Sequence, residues 1–304
     1  MLLGYFGPAG TFTHQALLTL GDHEHLPFPS VVATLNAVRS GEVEAALVPI
    51  ENSVEGGVSA TLDNLGSEYP LQIIREVLLP IQFGLYGRAG TRIQDVRKVL
   101  THPHAAAQVR LWMAEHLPQA VVTEGGSTAG AAEQVSHPDS EYDAAVCASV
   151  AGQLYGLEEI AGGIADNDAA VTRFVLVSRP GEHPEPTGAD KTTVVLYPFL
   201  DRPGGLLEIL EQFAARGVNL TRLESRPTKT TLGSYCFSID AEGHLADERM
   251  AEALLGLRRI CRDVVFLGSY PRADELQPTI PRGASDHDYR KARAWLEGLS
   301  GSGA

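Results

Sequence analysis

Thr172 and Arg173 interrupt an otherwise apolar run, Val171-Thr172-Arg173-Phe174-Val175-Leu176-Val177. A hydroxyl and a fixed positive charge at the mouth of a buried strand suit an acidic substrate that must lose a hydroxyl. By themselves they also fit a plain surface position at a strand entry. Four more polar clusters follow apolar strand patterns. Gly7-Pro8-Ala9-Gly10-Thr11-Phe12-Thr13 is a sharp turn into a helix start, whose free N–H groups can bind a carboxylate. With Gly4 its spacing is G-x-x-G-x-x-G, which is not the dinucleotide fingerprint. Glu51-Asn52-Ser53 offers a carboxylate, an amide and a hydroxyl in succession, able to grip a ring hydroxyl or a carboxylate. Thr101-His102-Pro103-His104 ends a strand and opens a helix that carries Gln108. Gly125-Gly126-Ser127-Thr128 is another capped helix start. Each cluster alone is equally a loop or a cap, and the two histidines read as satisfied surface residues.

The elements that must hold these clusters alternate between strand and helix patterns as far as residue 178. Strands are predicted at 2–6, 45–50, 96–100, 120–123 and 144–148. Helices are predicted from 11 to 20 and over 33–39, 60–65, 105–117 and 127–135. A long β-rich stretch at 71–86, broken by Pro80, reads as the passage from one lobe to a second, and 160–177 as the return. Two α/β lobes joined by crossing strands leave a cleft, and ligands bind beyond the carboxyl ends of such strands. Residues 1–178 therefore read as one two-lobed domain. Residues 179–190, rich in Pro and Gly, read as a linker. Residues 191–271 follow the β-α-β-β-α-β order of a ferredoxin-like unit, and 272–304 form a loose tail with a short helix near 289–299.

Composition narrows the function. The 304 residues carry a formal net charge of −14 and no basic block, which argues against nucleic acid as a partner. Cys147, Cys236 and Cys261 are far apart and sit in apolar patterns, so they read as reduced core thiols. No CxxC or HExxH motif occurs. The amino terminus lacks the basic flank of a signal peptide, and no apolar run suits a membrane span. A cytoplasmic protein is expected.

Together the clusters resemble one family. Gly4 to Thr13, Pro49-Ile50-Glu51-Asn52-Ser53, His102-Pro103, Ser127-Thr128 and Thr172-Arg173-Phe174 occur in the order found in prephenate dehydratases. The later unit resembles their ACT regulatory domain. Gly204-Gly205-Leu206-Leu207 is similar to the family's Gly-Ala-Leu-Val turn, and Glu224-Ser225-Arg226-Pro227 matches its Glu-Ser-Arg-Pro motif. The departures are Thr101 where the family usually has Ser, His104 for Gln, Ala170 for Asn, and Gly205 and Leu207 in the regulatory turn. No helical chorismate mutase pattern precedes the dehydratase pattern, so a monofunctional chain is expected.

The resemblance implies an α/β fold: a two-lobed, periplasmic-binding-protein-like catalytic domain followed by a ferredoxin-like βαββαβ ACT domain. It implies decarboxylative dehydration of prephenate to phenylpyruvate, with no metal or cofactor. Thr172 is then the proton donor, Glu51 an alternative acid and Arg173 an anchor for a carboxylate. Thr11, Asn52, Ser53, Thr101, Gln108, Ser127, Thr128 and Phe174 are the expected lining, Phe174 more for packing than for stacking on a ring. Phenylalanine is the implied effector, held between subunits of a homodimer or homotetramer by Gly204, Gly205, Leu206, Leu207, Asn219, Leu220, Glu224 and Ser225. Arogenate, the amino-acid analogue of prephenate, remains a rival substrate at this point. So does a binding module of the same shape that performs no reaction.

Overall fold

The computed structural model describes residues 1–67, 69–228 and 235–301. It divides into two compact units, Met1–Thr61 with Val77–Phe174, and Leu62–Glu76 with Val175–Ala304. The second unit thus takes in a short stretch from the amino-terminal half.

The chain begins β1 (Leu2–Phe6), α1 (Phe12–Leu18), β2 (Glu24–Phe28), α2 (Val31–Ser40), β3 (Ala45–Asn52), β4 (Gly56–Gly57), α3 (Ser59–Leu65) and β5 (Gln72–Pro80). It continues through β6 (Gly84–Gly87), β7 (Lys98–Thr101), α4 (Pro103–Gln108), α5 (Arg110–His116), β8 (Val121–Glu124), α6 (Thr128–Ser136), β9 (Ala144–Cys147), α7 (Ser149–Leu154), β10 (Glu158–Ala161) and β11 (Val171–Ser178). One sheet has the order β2-β1-β3-β11-β5 and the other β10-β6-β9-β7-β8. The chain leaves the first sheet after β5 and rejoins it at β11, so two lobes are tied by two crossings. β1 pairs in parallel with β2 and β3. Parallel strands are covered on both faces, which is why β1 and β3 read as continuous apolar runs. Leu3, Tyr5, Leu17, Leu35 and Leu47 fill that core.

Three local differences from the sequence reading have physical causes. β2 has no apolar alternation because it is an edge strand, where Glu24 and Pro27 are tolerated. α2 is longer than its apolar core: Ser30 caps it by accepting from Ala33 N at 3.1 Å, and Gly41 ends it in the left-handed region at φ 82°. The helix expected over 105–117 is two helices, broken at Val109 with φ −120° and ψ 10°. The Asp166 carboxylate accepts from Leu111 N and Trp112 N at 3.0–3.1 Å, so a residue far along the chain caps a new helix start.

The second unit contains β12 (Asp190–Pro198), α8 (Gly205–Ala214), β13 (Leu220–Pro227), β14 (Tyr235–Glu242), α9 (Glu248–Ile260) and β15 (Cys261–Pro271), with α10 (Asp286–Gly301) after them. Its sheet is antiparallel throughout, ordered β13-β14-β12-β15. This is the expected ferredoxin-like architecture, and the two α/β lobes are the expected catalytic one. Gly233, the expected start of the third strand, lies outside the described residues. Val194, Leu196, Ile209, Phe213, Ile239, Met250 and Leu257 form the core between helices and sheet. One buried ion pair ties in the inserted stretch. Lys191 Nζ donates to both Glu76 oxygens at 3.0 and 3.1 Å, and Ala273 N adds a third bond at 2.9 Å. Among the described residues, no helix is long and apolar enough to cross a membrane. The three cysteines are buried and free, and burial pushes the Cys147 thiol up to about 12.

Candidate active site

Between the two lobes of the first unit lies an open cleft of about 270 Å³, close to the lower end of ligand pockets at roughly 300 Å³. The strand ends and helix starts singled out above converge on it. From the first lobe come Thr11, Phe12, Asn52, Glu55, Thr172 and Phe174, and from the second His102, His104, Gln108, Ser127 and Thr128.

The turn after β1 is fixed by its own hydrogen bonds. Thr11 Oγ1 donates to Pro8 O at 3.0 Å and accepts from His14 N at 3.3 Å, capping α1. Gly10 N donates to His14 Nδ1 at 3.1 Å. Gly10 has φ 87°, and a Cβ there would meet Ala151 Cα at 3.2 Å and Ala129 Cβ at 3.3 Å. Only glycine fits this point, both for its backbone conformation and for its clearance. The His14 ring stacks on Tyr5 and meets His25 edge-on. Burial, then His25, lowers its pKa.

The central feature is a hydrogen bond of fixed polarity. Asn52 Oδ1 accepts from Val54 N at 2.8 Å and Glu55 N at 3.2 Å, so the other end of the amide must be its NH2. That NH2 donates to Thr172 Oγ1 at 2.8 Å. Thr172 is 8% exposed. Its oxygen accepts from Asn52, which leaves the hydroxyl proton to be offered into the cavity.

Strand alternation sorts the remaining residues. Asn52, Thr172 and Phe174 line the cavity, whereas Glu51, Ser53 and Arg173 do not. Arg173 is buried, with its guanidinium 3.6 Å from the Glu51 carboxylate. Ser53 binds β11: its N donates to Val171 O at 2.9 Å and its Oγ accepts from Val171 N at 2.9 Å. Thr101 is fully buried and donates to Val146 O at 2.7 Å, so it also lies off the cavity wall. Ser127 Oγ accepts from Gly130 N at 2.9 Å, capping α6. Phe12 meets Phe83 edge-to-face at 5.3 Å, and both rings reach the cavity.

The sequence reading did not assign Glu55, His102 or His104 to the lining. Glu55 Oε2 and His104 Nδ1 lie 2.5 Å apart across the two lobes. His102 caps α4 and accepts from His104 N at 3.3 Å. Burial and then His104 lower the His102 pKa, against opposing pulls from Glu55 and Glu124. No Lys or Arg lines the cavity among the described residues. A carboxylated ligand would therefore be held by hydroxyls, amides and backbone N–H groups, with at most a histidine cation.

The second unit has its own pocket of about 780 Å³. Of the residues expected at an effector site, Gly204, Gly205, Leu206, Leu207 and Ser225 line it, and Asn219, Leu220 and Glu224 do not. Leu220 packs on the core, and Glu224 lies 3.7 Å from Arg222. Phe199, Leu200, Arg202, Tyr235 and Arg262 are among the other residues of its wall.

These features define a two-lobed α/β protein with a largely uncharged ligand cavity, whose apolar walls carry a few hydroxyl, amide and imidazole groups, and with a ferredoxin-like unit that has a pocket of its own. The prephenate dehydratase family profile matches residues 3–182 and the ACT domain profile residues 200–259. The prephenate dehydratase of Amycolatopsis methanolica is 48% identical over 298 residues, spanning 97% of this chain and 96% of its own. The crystal structure of prephenate dehydratase from Arthrobacter aurescens in complex with L-Phe matches with a TM-score of 0.94 at 50% identity, covering 98% of this chain and 99% of that one. A protein described as a novel type of quorum quenching acylase matches at 0.81 and 32% identity, covering 89% of this chain and 98% of that one. The chain belongs to the prephenate dehydratase family.

Proposed function

We propose that this chain converts prephenate to phenylpyruvate, and that phenylalanine bound by the second unit restrains the reaction. The observation that carries the chemistry is the one-way hydrogen bond from Asn52 to Thr172. The ring hydroxyl of prephenate takes the Thr172 proton and leaves as water. The bond between C1 and its carboxylate breaks, carbon dioxide departs, and the released electron pair completes the aromatic ring. Thr172 regains a proton from solvent, so one proton is consumed per turnover. A threonine is a weak acid, and its contribution comes from position and from proton transfer in step with a leaving group driven by aromatisation.

Thr11, Asn52, Gln108, Ser127 and Thr128 bind and orient the substrate, and Phe174 packs against it. Glu51 and Arg173 act behind the wall, holding β3 and β11 in register. Ser53 does the same through Val171, and Thr101 ties β7 to β9 through Val146 O. An acylase is disfavoured: among the described residues neither the Ser127 nor the Thr172 hydroxyl hydrogen-bonds a histidine or carboxylate, and a nucleophilic hydroxyl needs such a base to receive its proton.

Residues 1–178 form the catalytic region, 179–190 the linker, 191–271 the ACT unit and 272–304 a tail. Phe199, Leu200 and Leu207 keep 63%, 72% and 59% of their surface exposed around the second pocket. A second copy of the chain covers them and completes the effector site, giving a homodimer or homotetramer. A cytoplasmic setting suits three buried, reduced cysteines. The deciding experiment is a prephenate assay on the purified chain with and without phenylalanine, read by phenylpyruvate formation and alongside light scattering. Absence of product would rule the reading out.

A further inference from the structure

Glu55 is the only carboxylate on the cavity wall among the described residues. It lies at the more exposed rim of the cavity: its side chain is 40% exposed and that of His104 61%, whereas Thr172 is 8% exposed. Two lone pairs would repel at the 2.5 Å between Glu55 Oε2 and His104 Nδ1, so a proton lies between them. His104 donates it, and Glu55 faces the cavity as a masked charge.

The substrate's own geometry makes this end matter. In prephenate the ring hydroxyl and the carbon bearing the carboxylate and the three-carbon side chain lie at opposite ends of the ring. If Thr172, in the buried wall, meets the hydroxyl, the opposite end of the ring and its side chain point to the exposed rim that carries Glu55 and His104. This step rests on the function proposed above. A 2-oxo acid side chain carries one negative charge there. Its 2-amino counterpart adds an ammonium, which a bare carboxylate attracts.

We propose that the Glu55–His104 pair is a specificity determinant, with His104 masking Glu55 so that the cavity takes the 2-oxo acid in preference to the 2-amino acid. The hydrogen bond from His104 occupies the Glu55 carboxylate and weakens its pull on a ligand. An unmasked Glu55 repels the side-chain carboxylate of the oxo acid and pairs with the ammonium of the amino acid. The remaining charged or titratable groups around the pair are His102, whose ring centroid is 5.0 Å from that of His104, and Glu124 beside His102. Neither takes the place of His104: burial disfavours the charged form of His102, and Glu124 has the same sign as Glu55.

The test compares kcat/KM for prephenate and arogenate on the full chain, with wild type, His104→Leu, His104→Gln, Glu55→Gln and the double variant Glu55→Gln/His104→Leu. Wild type should prefer prephenate. His104→Leu should move the ratio towards arogenate by roughly tenfold, the size of one partly screened charge contact. His104→Gln keeps a donor to Glu55 and should move it less. Glu55→Gln alone should keep the wild-type preference, and the double variant should return to it. High salt should shrink the His104→Leu shift, which a packing role would not predict. A ratio unmoved in His104→Leu, or unrestored in the double variant, would overturn the assignment while leaving prephenate turnover intact. Wild-type protein inert towards both substrates would instead overturn the dehydratase reading on which it stands.

Discussion

The cavity of the first unit and the pocket of the second are built on opposite plans. The first is small, about 270 Å³, and is lined by apolar rings with a few hydroxyls and amides drawn from two sheets of one chain. Its key groups already have partners: Asn52 orients Thr172, and Thr11, His102 and Ser127 cap helices that point at the site. The second is about 780 Å³, and several of its walls are bare apolar side chains. Groups fixed before the ligand arrives do not have to reorganise during reaction, which favours chemistry. A pocket that leaves apolar surface in water gains stability when something covers it, which favours binding coupled to assembly. One unit is organised to react and the other to respond.

The largest expected effect separates the two regions outright. Thr172→Ala should lower kcat about 10²–10⁴-fold, the range for a positioned proton donor, while calorimetric phenylalanine binding stays unchanged. Near-normal turnover would remove Thr172 from the chemistry. Thr172→Ser keeps the hydroxyl and should recover most of the rate.

Next comes stability confined to the second unit. Lys191→Met removes the cation that Lys191 brings to the buried Glu76 carboxylate, and breaking such a pair costs about 3–5 kcal/mol. Denaturant unfolding followed by hydrogen exchange should show the loss in β12 and β15 first. A uniform loss over both units would blur the contrast. The same pair predicts that cutting the chain at residue 190 exposes Glu76, so removal of the regulatory unit is better replaced by point changes.

Leu207→Asp puts a charge on the second pocket's apolar wall. It should raise the phenylalanine concentration for half-inhibition by roughly tenfold or more, since burying an unpaired carboxylate is costly. The uninhibited rate should stay within about twofold. A fall in that rate without a change in inhibition would mean that the pocket serves the fold rather than the response.

The smallest effect is in acid. His14, His25 and His102 all have lowered pKa values, in each case chiefly through burial. Above about pH 6.5 these imidazoles are neutral in both folded and unfolded chains, and their contribution is flat. As pH falls through 6.5 the unfolded chain takes up protons first, so stability falls until the folded groups also protonate. Melting temperature should therefore decline from pH 7 to 5, and His14→Gln should flatten the slope. All three residues lie in the first unit, so hydrogen exchange should show that unit loosening first.

Much of this was legible in the chain itself. The strands that carry Thr11, Asn52 and Thr172 are short apolar runs ended by polar turns, and local composition is enough to find them. Strand alternation, a period of two, already implied that Asn52 and Thr172 could share a face and that Glu51, Ser53 and Arg173 belong to the other. Reading those motifs as contiguous triplets hid it. The break at Val109 was out of reach, because its cause is Asp166, more than fifty residues away. So was the placement of His104, whose neighbours in sequence mark it only as a helix start.

Local sequence thus determined where strands and helices form, the order of the two α/β lobes and the ferredoxin-like unit, and the family to which the chain belongs. These follow from periodicity, caps and turns, whose physics acts within a few residues. The tertiary structure decided which way the Asn52 amide faces, that the Thr172 proton is offered into the cavity, that Thr101 lies off the cavity wall, and that Glu55 meets His104. Each of these depends on hydrogen bonds or packing between residues brought together by the crossings of the chain. No local pattern encodes their direction.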